Sequence, residues 1–276
     1  MSHYNQTSPP PTPTFLKLTF PIPRVVLVTM DRPSAMNCIN AAGAEELAAV
    51  WSWLDSEPNL TVAVLTGAGD KAFSAGADLK EWAQSLTPGA APRRVTKAKG
   101  VGLSRRRGKK PVIAAVNGLA LGGGTEFAVN CDLVVAAERA EFGLPEVTRG
   151  VAPFAGALPR LIRSIGLQRA SEFALTGQRI SATKALEWGL VNKVVPQMDV
   201  VKEALRYAEL IATNSPDSII CTRSGLREGW AKADVEHAVQ TTHDNEFAEL
   251  QKGENIKEGL AAFAEKRKPR WKPARL

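Results

Sequence analysis

Three groups of residues in this chain have types and spacing that could act on a carbonyl compound. The run Gly118-Leu-Ala-Leu-Gly122-Gly123-Gly124-Thr-Glu126 follows the apolar stretch 111–116 and precedes a helical stretch over 125–130. Glycines let a ligand approach the backbone closely, and a helix start offers N–H groups with no carbonyl one turn back to satisfy them. With the helix dipole behind them, such donors suit a developing negative oxygen or a phosphate. The Lys-Ser or Lys-Thr that follows a phosphate-binding glycine loop is absent, and a plain strand-to-helix turn would call for the same small residues. A second set of backbone donors lies in Ala72-Phe-Ser-Ala75-Gly76-Ala77-Asp78, where Asp78 reads as the N-cap of the next helix. The third group is a pair of carboxylates, Glu126 among Phe127, Ala128 and Val129, and Glu146 after Pro145. Taken singly, Glu126 fits a surface glutamate and Glu146 an acid complementing a helix start. Taken together beside an oxyanion-type loop, they suit acid–base work, because like charges close together push their pKa values apart.

Other chemistries find less material. His3, His237 and His243 lie far in sequence from the glycine loops, so a serine or cysteine triad has no base. No cluster suggests a metal site. Cys38, Cys131 and Cys221 are odd in number and lack CxxC spacing, against a disulfide framework or structural zinc and in favour of a reducing compartment.

The elements that must position these groups follow from patterning. With 276 residues, 44% of them hydrophobic and 23% charged, the chain can bury a substantial core as one large domain or two small ones, which excludes a wholly disordered chain. No run approaches the ~18 apolar residues of a membrane span. Residues 15–20 and 25–28 read as strands, as do 62–65, 111–116 and 133–136. Asn40 caps a helix that presents Leu47, Val50, Trp51 and Leu54 on one face. From about 155 onward the pattern is helical only, with Ser181 opening a segment that ends at Gly189, a helix from 200 to 213, Ser215-Pro216 as a cap, and a last helix over 256–266. The class is α/β: a core of about 200 residues with a helical C-terminal appendage. Residues 1–14, with four prolines among 9–13, read as a flexible tail without the apolar core of a signal peptide or the arginines of a mitochondrial presequence.

The net charge of +7 and pI near 9.4 favour an anionic partner such as cofactor phosphates, nucleic acid or a membrane surface, or else serve solubility. Two basic runs stand out, 105–110 and 266–272.

In this order the motifs resemble those of the crotonase superfamily, and within it the enoyl-CoA hydratases. The matching stretches are Phe73-Ser-Ala-Gly-Ala-Asp-Leu-Lys80, Ala114-Ala-Val-Asn-Gly118 through Glu126 with Cys131-Asp132, Phe142-Gly-Leu-Pro-Glu146, Leu175-Thr-Gly177, Ala185 to Asn192 with Val194-Val195, and Glu258-Gly-Leu-Ala-Ala-Phe263-Ala-Glu-Lys266. The resemblance spans residues 15–270. It implies a spiral of ββα turns over 15–200 and a helical region over 201–276 used for trimerisation, with trimers pairing into hexamers. It implies an acyl-CoA thioester as partner, coenzyme A being part of the substrate, with no metal, no tightly bound cofactor, no nucleic acid and no membrane.

Residue by residue, the resemblance makes the N–H groups of Ala77 and Gly123 the oxyanion hole. Glu126 activates water for addition to Cβ, and Glu146 delivers a proton to Cα. Ala35, Met36, Ala75, Ala77 and Lys80 fall where the family holds pantetheine and adenine, with Phe263 and Lys266 closing on adenine and 3′-phosphate, often from a neighbouring subunit. Ser34 stands where a basic residue is usual. Phe154 stands where hydratases carry glycine, which puts a ring in the acyl pocket. The implied reaction is hydration of a trans-2-enoyl-CoA, as in fatty-acid β-oxidation. Double-bond isomerisation or thioester hydrolysis are the alternatives, and RNA binding by a hydratase relative a distant one. Ala274-Arg275-Leu276 on an exposed basic tail resembles a peroxisomal Ser-Lys-Leu signal, with a cytoplasmic enzyme as the fallback.

Overall fold

The computed structural model describes residues 6–85, 87 and 102–276. The chain opens with an antiparallel pair, β1 (Leu16–Ile22) and β2 (Val25–Met30). Helix α1 (Ala41–Ser56) follows, its cap Asn40 accepting the Gly43 N–H, and it buries the four expected apolar residues. Then the chain repeats one unit three times, a strand, a second strand set off by a sharp corner, and a helix or helical turn. The units are β3 (Val62–Gly67), β4 (Ala72–Ser74) and α2 (Leu79–Ser85); β5 (Val112–Val116), β6 (Leu119–Leu121) and α3 (Gly123–Asn130); and β7 (Leu133–Ala137), β8 (Glu141–Gly143) and α4 (Ala157–Ile165), with a 3₁₀ turn at Pro145–Arg149 before α4.

First strands collect in one sheet of order β1-β2-β3-β5-β7-β10 and second strands in another of order β4-β6-β8-β9, which is the ββα spiral. Parallel inner strands buried on both faces need continuous apolar sequence, and every residue of β3 and β5 is buried. The corners leave backbone groups that no ladder can satisfy. Two asparagines take them: Asn117 donates to Gly67 O and Gly69 O, and Asn37 donates to Ala68 O and Ala72 O. Gly118 lets neighbouring corners touch, since a Cβ there would lie 2.5 Å from the Lys71 carbonyl oxygen.

Beyond α4 come α5 (Leu167–Thr176), β9 (Arg179–Ser181), α6 (Ala182–Trp188), β10 (Lys193–Val195), α7 (Val200–Ala212), α8 (Pro216–Ala231), α9 (Val235–Thr242), α10 (Ala248–Leu250) and α11 (Glu254–Ala264). This region is not purely helical, as its pattern suggested. β9 and β10 each add one edge strand to a sheet, and at three residues they are too short to show a period. Nor does the sheet-packed part stop at 200, because α7 lies against β2, β3, β5 and β7 and buries Ala204 and Ala208 completely.

Both tails are docked where they are described. Thr7 and Ser8 donate through backbone and side chain to the Glu57 carboxylate, and Thr14 and Phe15 donate to Glu46. The tail expected to be flexible is therefore held at residues 7, 8 and 14, while residues 1–5 lie outside the described part. The C-terminal tail, expected to be freely exposed, is held too: Arg275 N and Leu276 N donate to Asp217 Oδ1 at 2.7 and 3.2 Å, and Ala274 N to Pro58 O at 3.0 Å. These contacts run through backbone N–H groups, which side-chain patterns do not reveal. Among the described residues no helix is long and apolar enough to cross a membrane.

Asp132 joins α8 to the spiral. It accepts the Val112 N–H at 2.9 Å and pairs with Arg223 at 3.0 Å and Arg227 at 2.8 Å. Burial opposes its ionisation, yet the two guanidinium groups hold its carboxyl below the usual range. The basic run 105–110 is partly structural in the same way. Arg106 is buried against Asp55, and the buried Lys110 donates to the Glu57 carbonyl. Removing one partner of a buried ion pair strands the others. Asp132→Ala should cost about 3 kcal/mol or more, lowering Tm by roughly 6–12 °C, as read by thermal unfolding; a change under 2 °C would show that α8 is held by its apolar contacts alone.

Candidate active site

The two glycine-rich loops meet edge to edge. Ala75 N donates to Met36 O, and Ser74 Oγ donates to Asn37 O while accepting the Gly76 N–H, so the 74–77 loop is pinned from beneath. Ile39 bridges it in parallel: Ile39 N goes to Gly76 O and Asp78 N to Ile39 O. The Ala77 N–H between them therefore points to the opposite side. Gly123 opens α3, where no carbonyl lies one turn back for its N–H. A Cβ on Gly123 would sit 3.7 Å from Ala77 N, and one on Gly76, whose φ is +86°, would sit 2.8 Å from Gly123 N. The structure thus brings Ala77 and Gly123 together as two adjacent backbone donors at one helix N-terminus.

Both glutamates face the same space. Glu126 is 5% exposed, and its Oε1 accepts the Ala157 N–H at 3.1 Å. The N–H groups of Ala155 and Gly156 are also directed at it, so the start of α4 forms a nest around this carboxylate. Burial pushes the Glu126 carboxyl up, while the three N–H groups and the Arg160 guanidinium pull against that rise. Glu146 leans on the glycine loop: a Cβ on Gly122 would come within 2.9 Å of its Oε1. Its Oε2 is buried without a hydrogen-bond partner among the described residues. Burial, with the charge of Glu126 adding to it, pushes Glu146 up to about 7. Backbone donors and a cation thus offset part of the burial cost of an anionic Glu126, whereas at Glu146 burial outweighs its own backbone N–H and the carboxyl keeps its proton into the neutral range.

A cavity of about 220 Å³ joins these groups, lined by Ala75, Ala77, Gly122, Gly123, Glu126, Glu146 and apolar side chains. Phe154 is on its wall and half exposed, its ring edge-on to Trp82 with centroids 6.0 Å apart. The Phe154 ring expected in the acyl pocket thus borders this cavity. Asp78 does cap α2 through Glu81 N, and it also pairs with Arg32 at 3.2 Å.

Of the residues expected to hold coenzyme A, Ala35 and Met36 form the turn that meets Ala75, and Lys80 stands exposed on α2, next to Leu79 of the cavity wall. Phe263 and Lys266 are not brought to the cavity within one chain. They lie at the end of α11, exposed, with Phe263 at 86%.

Three contributors were not singled out from sequence. Thr125 Oγ1 donates to Ala120 O and accepts the Gly143 N–H, tying the helix of Glu126 to the strand that leads to Glu146. Among the described residues, Arg149 is the one basic residue on the cavity wall. Arg160 sits behind Glu126. The side chains of Thr125 and Arg160 act on groups distant in sequence, so no local spacing marks them.

The chain matches the family model described as enoyl-CoA hydratase/isomerase over residues 23–274. It is 49% identical over 266 residues to the mevalonyl-coenzyme A hydratase sidH of Aspergillus fumigatus, covering 96% of this chain and 98% of that one. It is 51% identical over 279 residues to the mevalonyl-coenzyme A hydratase SIDH of Beauveria bassiana, with 98% and 99% covered. The crystal structure of enoyl-CoA hydratase from Mycobacterium tuberculosis H37Rv superposes with a TM-score of 0.86 at 36% identity, covering 94% of this chain and 99% of that one.

The raised Glu146 carboxyl carries a stability consequence. A group that binds its proton more tightly in the folded state supports folding at low pH, and that support is lost as pH rises through the folded pKa, here about 7. That support is full only below the unfolded pKa, about 4.3, so Glu146→Gln should leave Tm unchanged near pH 4 and raise it by ~2–4 °C or more near pH 8.5, about 1 kcal/mol or more in a protein of this size. The same offset at both pH values would show that the carboxyl is not held protonated.

Proposed function

The chain belongs to the enoyl-CoA hydratase/isomerase family and is a hydratase of CoA thioesters; from that premise we propose that Glu126 is the general base, Glu146 the general acid, and the N–H groups of Ala77 and Gly123 the oxyanion hole. The observation that carries this reading is the shared cavity, with two carboxylates in unlike environments facing two adjacent backbone donors. Hydrogen bonds from both donors polarise the thioester carbonyl, and one such donor can be worth ~3 kcal/mol in the transition state. Glu126 takes a proton from water as its oxygen bonds to Cβ, the Cα=Cβ electrons move onto the thioester as an enolate, and Cα takes the proton of Glu146. Water supplies the elements added, and the proton shifted from Glu146 to Glu126 returns through solvent. Dehydration is the same path reversed.

For the substrate we propose a short, β-methyl-branched acyl group of the mevalonyl type. Support comes from the two half-identical relatives named for mevalonyl-CoA and from the small cavity that Phe154 and Trp82 narrow. Coenzyme A enters as part of the substrate, with Ala35, Met36, Ala75, Ala77 and Lys80 as its proposed contacts. We further propose a homotrimer. Leu226, Val235, Val239 and Leu260 on α8, α9 and α11 are exposed apolar residues suited to self-association, and a neighbouring copy would bring Phe263 and Lys266 to the site.

Glu126→Gln and Glu146→Gln should each lower turnover by ~100-fold or more, the usual scale for losing a general acid or base, measured by the change in enone absorbance. Near-normal activity in either would refute the two-carboxylate mechanism, and loss in Glu146→Gln alone would favour isomerisation. Phe154→Gly should raise kcat/KM for six- to eight-carbon enoyl-CoA relative to mevalonyl-CoA by ~10-fold, the scale of one or two methylenes in an apolar pocket. An unchanged ratio would mean that the ring does not border the acyl chain.

A further inference from the structure

We infer that Arg160 is a positioning residue for Glu126: its guanidinium bridges the Gly156 carbonyl and the Asn130 side chain, and so locks the N–H nest at the start of α4 onto the carboxylate that α3 presents. This rests on the assignment of Glu126 as general base and adds the group that holds that base in place.

The bridge is specific in geometry. Arg160 Nη1 donates to Gly156 O at 2.8 Å, and Arg160 Nε donates to Asn130 Oδ1 at 2.7 Å. Gly156 belongs to the nest, and its neighbour Ala157 gives the 3.1 Å hydrogen bond to Glu126. Asn130 lies one turn beyond Glu126 on α3. Its own amide is fixed by donation to Leu103 O and Arg106 O, and Arg227 Nη1 shares its Oδ1 at 3.2 Å. One planar cation thus spans the two helices whose relative placement decides whether the N–H groups aim at Glu126. Gly156 is shaped for it: its φ is +122°, and a Cβ there would fall 2.1 Å from Arg160 Nη1. The guanidinium carbon also lies over the Trp230 ring, 5.9 Å from its centre, a further contact for the cation.

The charge matters as well as the shape. The charged groups around Glu126 are Glu146 across the cavity, Arg149 on the cavity wall, and Arg160 behind. Arg160 is the cation that pulls the Glu126 carboxyl down against its burial. Its own surroundings are crowded with like charge: burial first, then Arg227, Arg105 and Arg107, disfavour its ionisation, and Glu126 opposes them. A guanidinium suits this place better than an ammonium, because it is planar, stays charged and meets two acceptors at once.

The test compares Arg160→Met, Arg160→Lys, Gly156→Ala and Glu126→Gln in the full-length protein, by pH profiles of kcat and kcat/KM for hydration of crotonyl-CoA. A general base must be deprotonated, so activity falls on the acid side of its pKa, and removing a nearby cation moves that limb to higher pH. Arg160→Met should lower kcat by at least ~10-fold, leave KM within about threefold, and move the acid limb up by ~0.5 unit or more. Arg160→Lys, with charge but one-point contact, should restore the limb and only part of kcat. Gly156→Ala, which displaces the guanidinium, should follow Arg160→Met. An unmoved limb in Arg160→Met, or a drop in kcat that Arg160→Lys rescues fully, would overturn the inference. If Arg160→Met does not fold, Arg160→Lys and Gly156→Ala decide by the same readouts. Near-normal activity of Glu126→Gln would instead remove the base assignment itself, and this inference with it.

Discussion

Two carboxylates that share a cavity of about 220 Å³ do not lose their protons at the same pH, because the second ionisation must be made against the first in a poorly solvated space. The fold resolves this by unequal treatment. Glu126 receives backbone N–H groups from the start of α4 and a cation behind it, while Glu146 is pressed against Gly122 with one oxygen unpartnered. In the proposed mechanism this asymmetry makes Glu126 the base and Glu146 the acid, and addition of water across a double bond needs one of each.

Much of the surrounding structure serves that asymmetry. The corners fastened by Asn37 and Asn117 let first and second strands separate into two sheets, which places the 74–77 loop beside the N-terminus of α3. Thr125 then ties α3 to β8, fixing the separation between the two glutamates. The helix that donates to Glu126 is itself held through Arg160, Asn130 and Arg227, so the C-terminal helices reach the site through an electrostatic chain. Phe154 and Trp82 meet edge-on at the cavity wall. In the proposed function, chemistry falls to the carboxylates and backbone donors, and selectivity to the rings.

The parts legible in sequence were those that local rules govern. The capped helix α1, the inner strands β3, β5 and β7, and the Ser181 and Ser215 caps follow from periodicity and capping chemistry. The glycine loops and the carboxylate pair stood out as chemistry, and the ordered motifs made the family recognisable. The second strands β4, β6, β8 and β9 did not stand out, since three residues cannot show an alternation. Asn37, Thr125 and Arg160 were silent because each acts on partners set by the tertiary fold. Phe263 and Lys266, placed at the cofactor by resemblance, lie away from the cavity in a single chain. The docked tails escaped notice for a related reason, because prolines and basic residues suggest solvent while the contacts are made by backbone N–H groups and, at the N-terminus, by Thr and Ser hydroxyls as well.

The unequal titration of the two glutamates can be observed directly. Carbon-13 label at the glutamate carboxyls, followed by NMR across pH 4 to 9, reports each protonation state without substrate. A carboxyl titrating near 7 is expected, absent in Glu146→Gln and shifted to lower pH in Glu126→Gln, where the neighbouring charge is gone. If that titration instead survives in Glu146→Gln and vanishes in Glu126→Gln, the acid and base are reversed. If no carboxyl titrates above about 5.5, the environments do not divide the pair and the account fails.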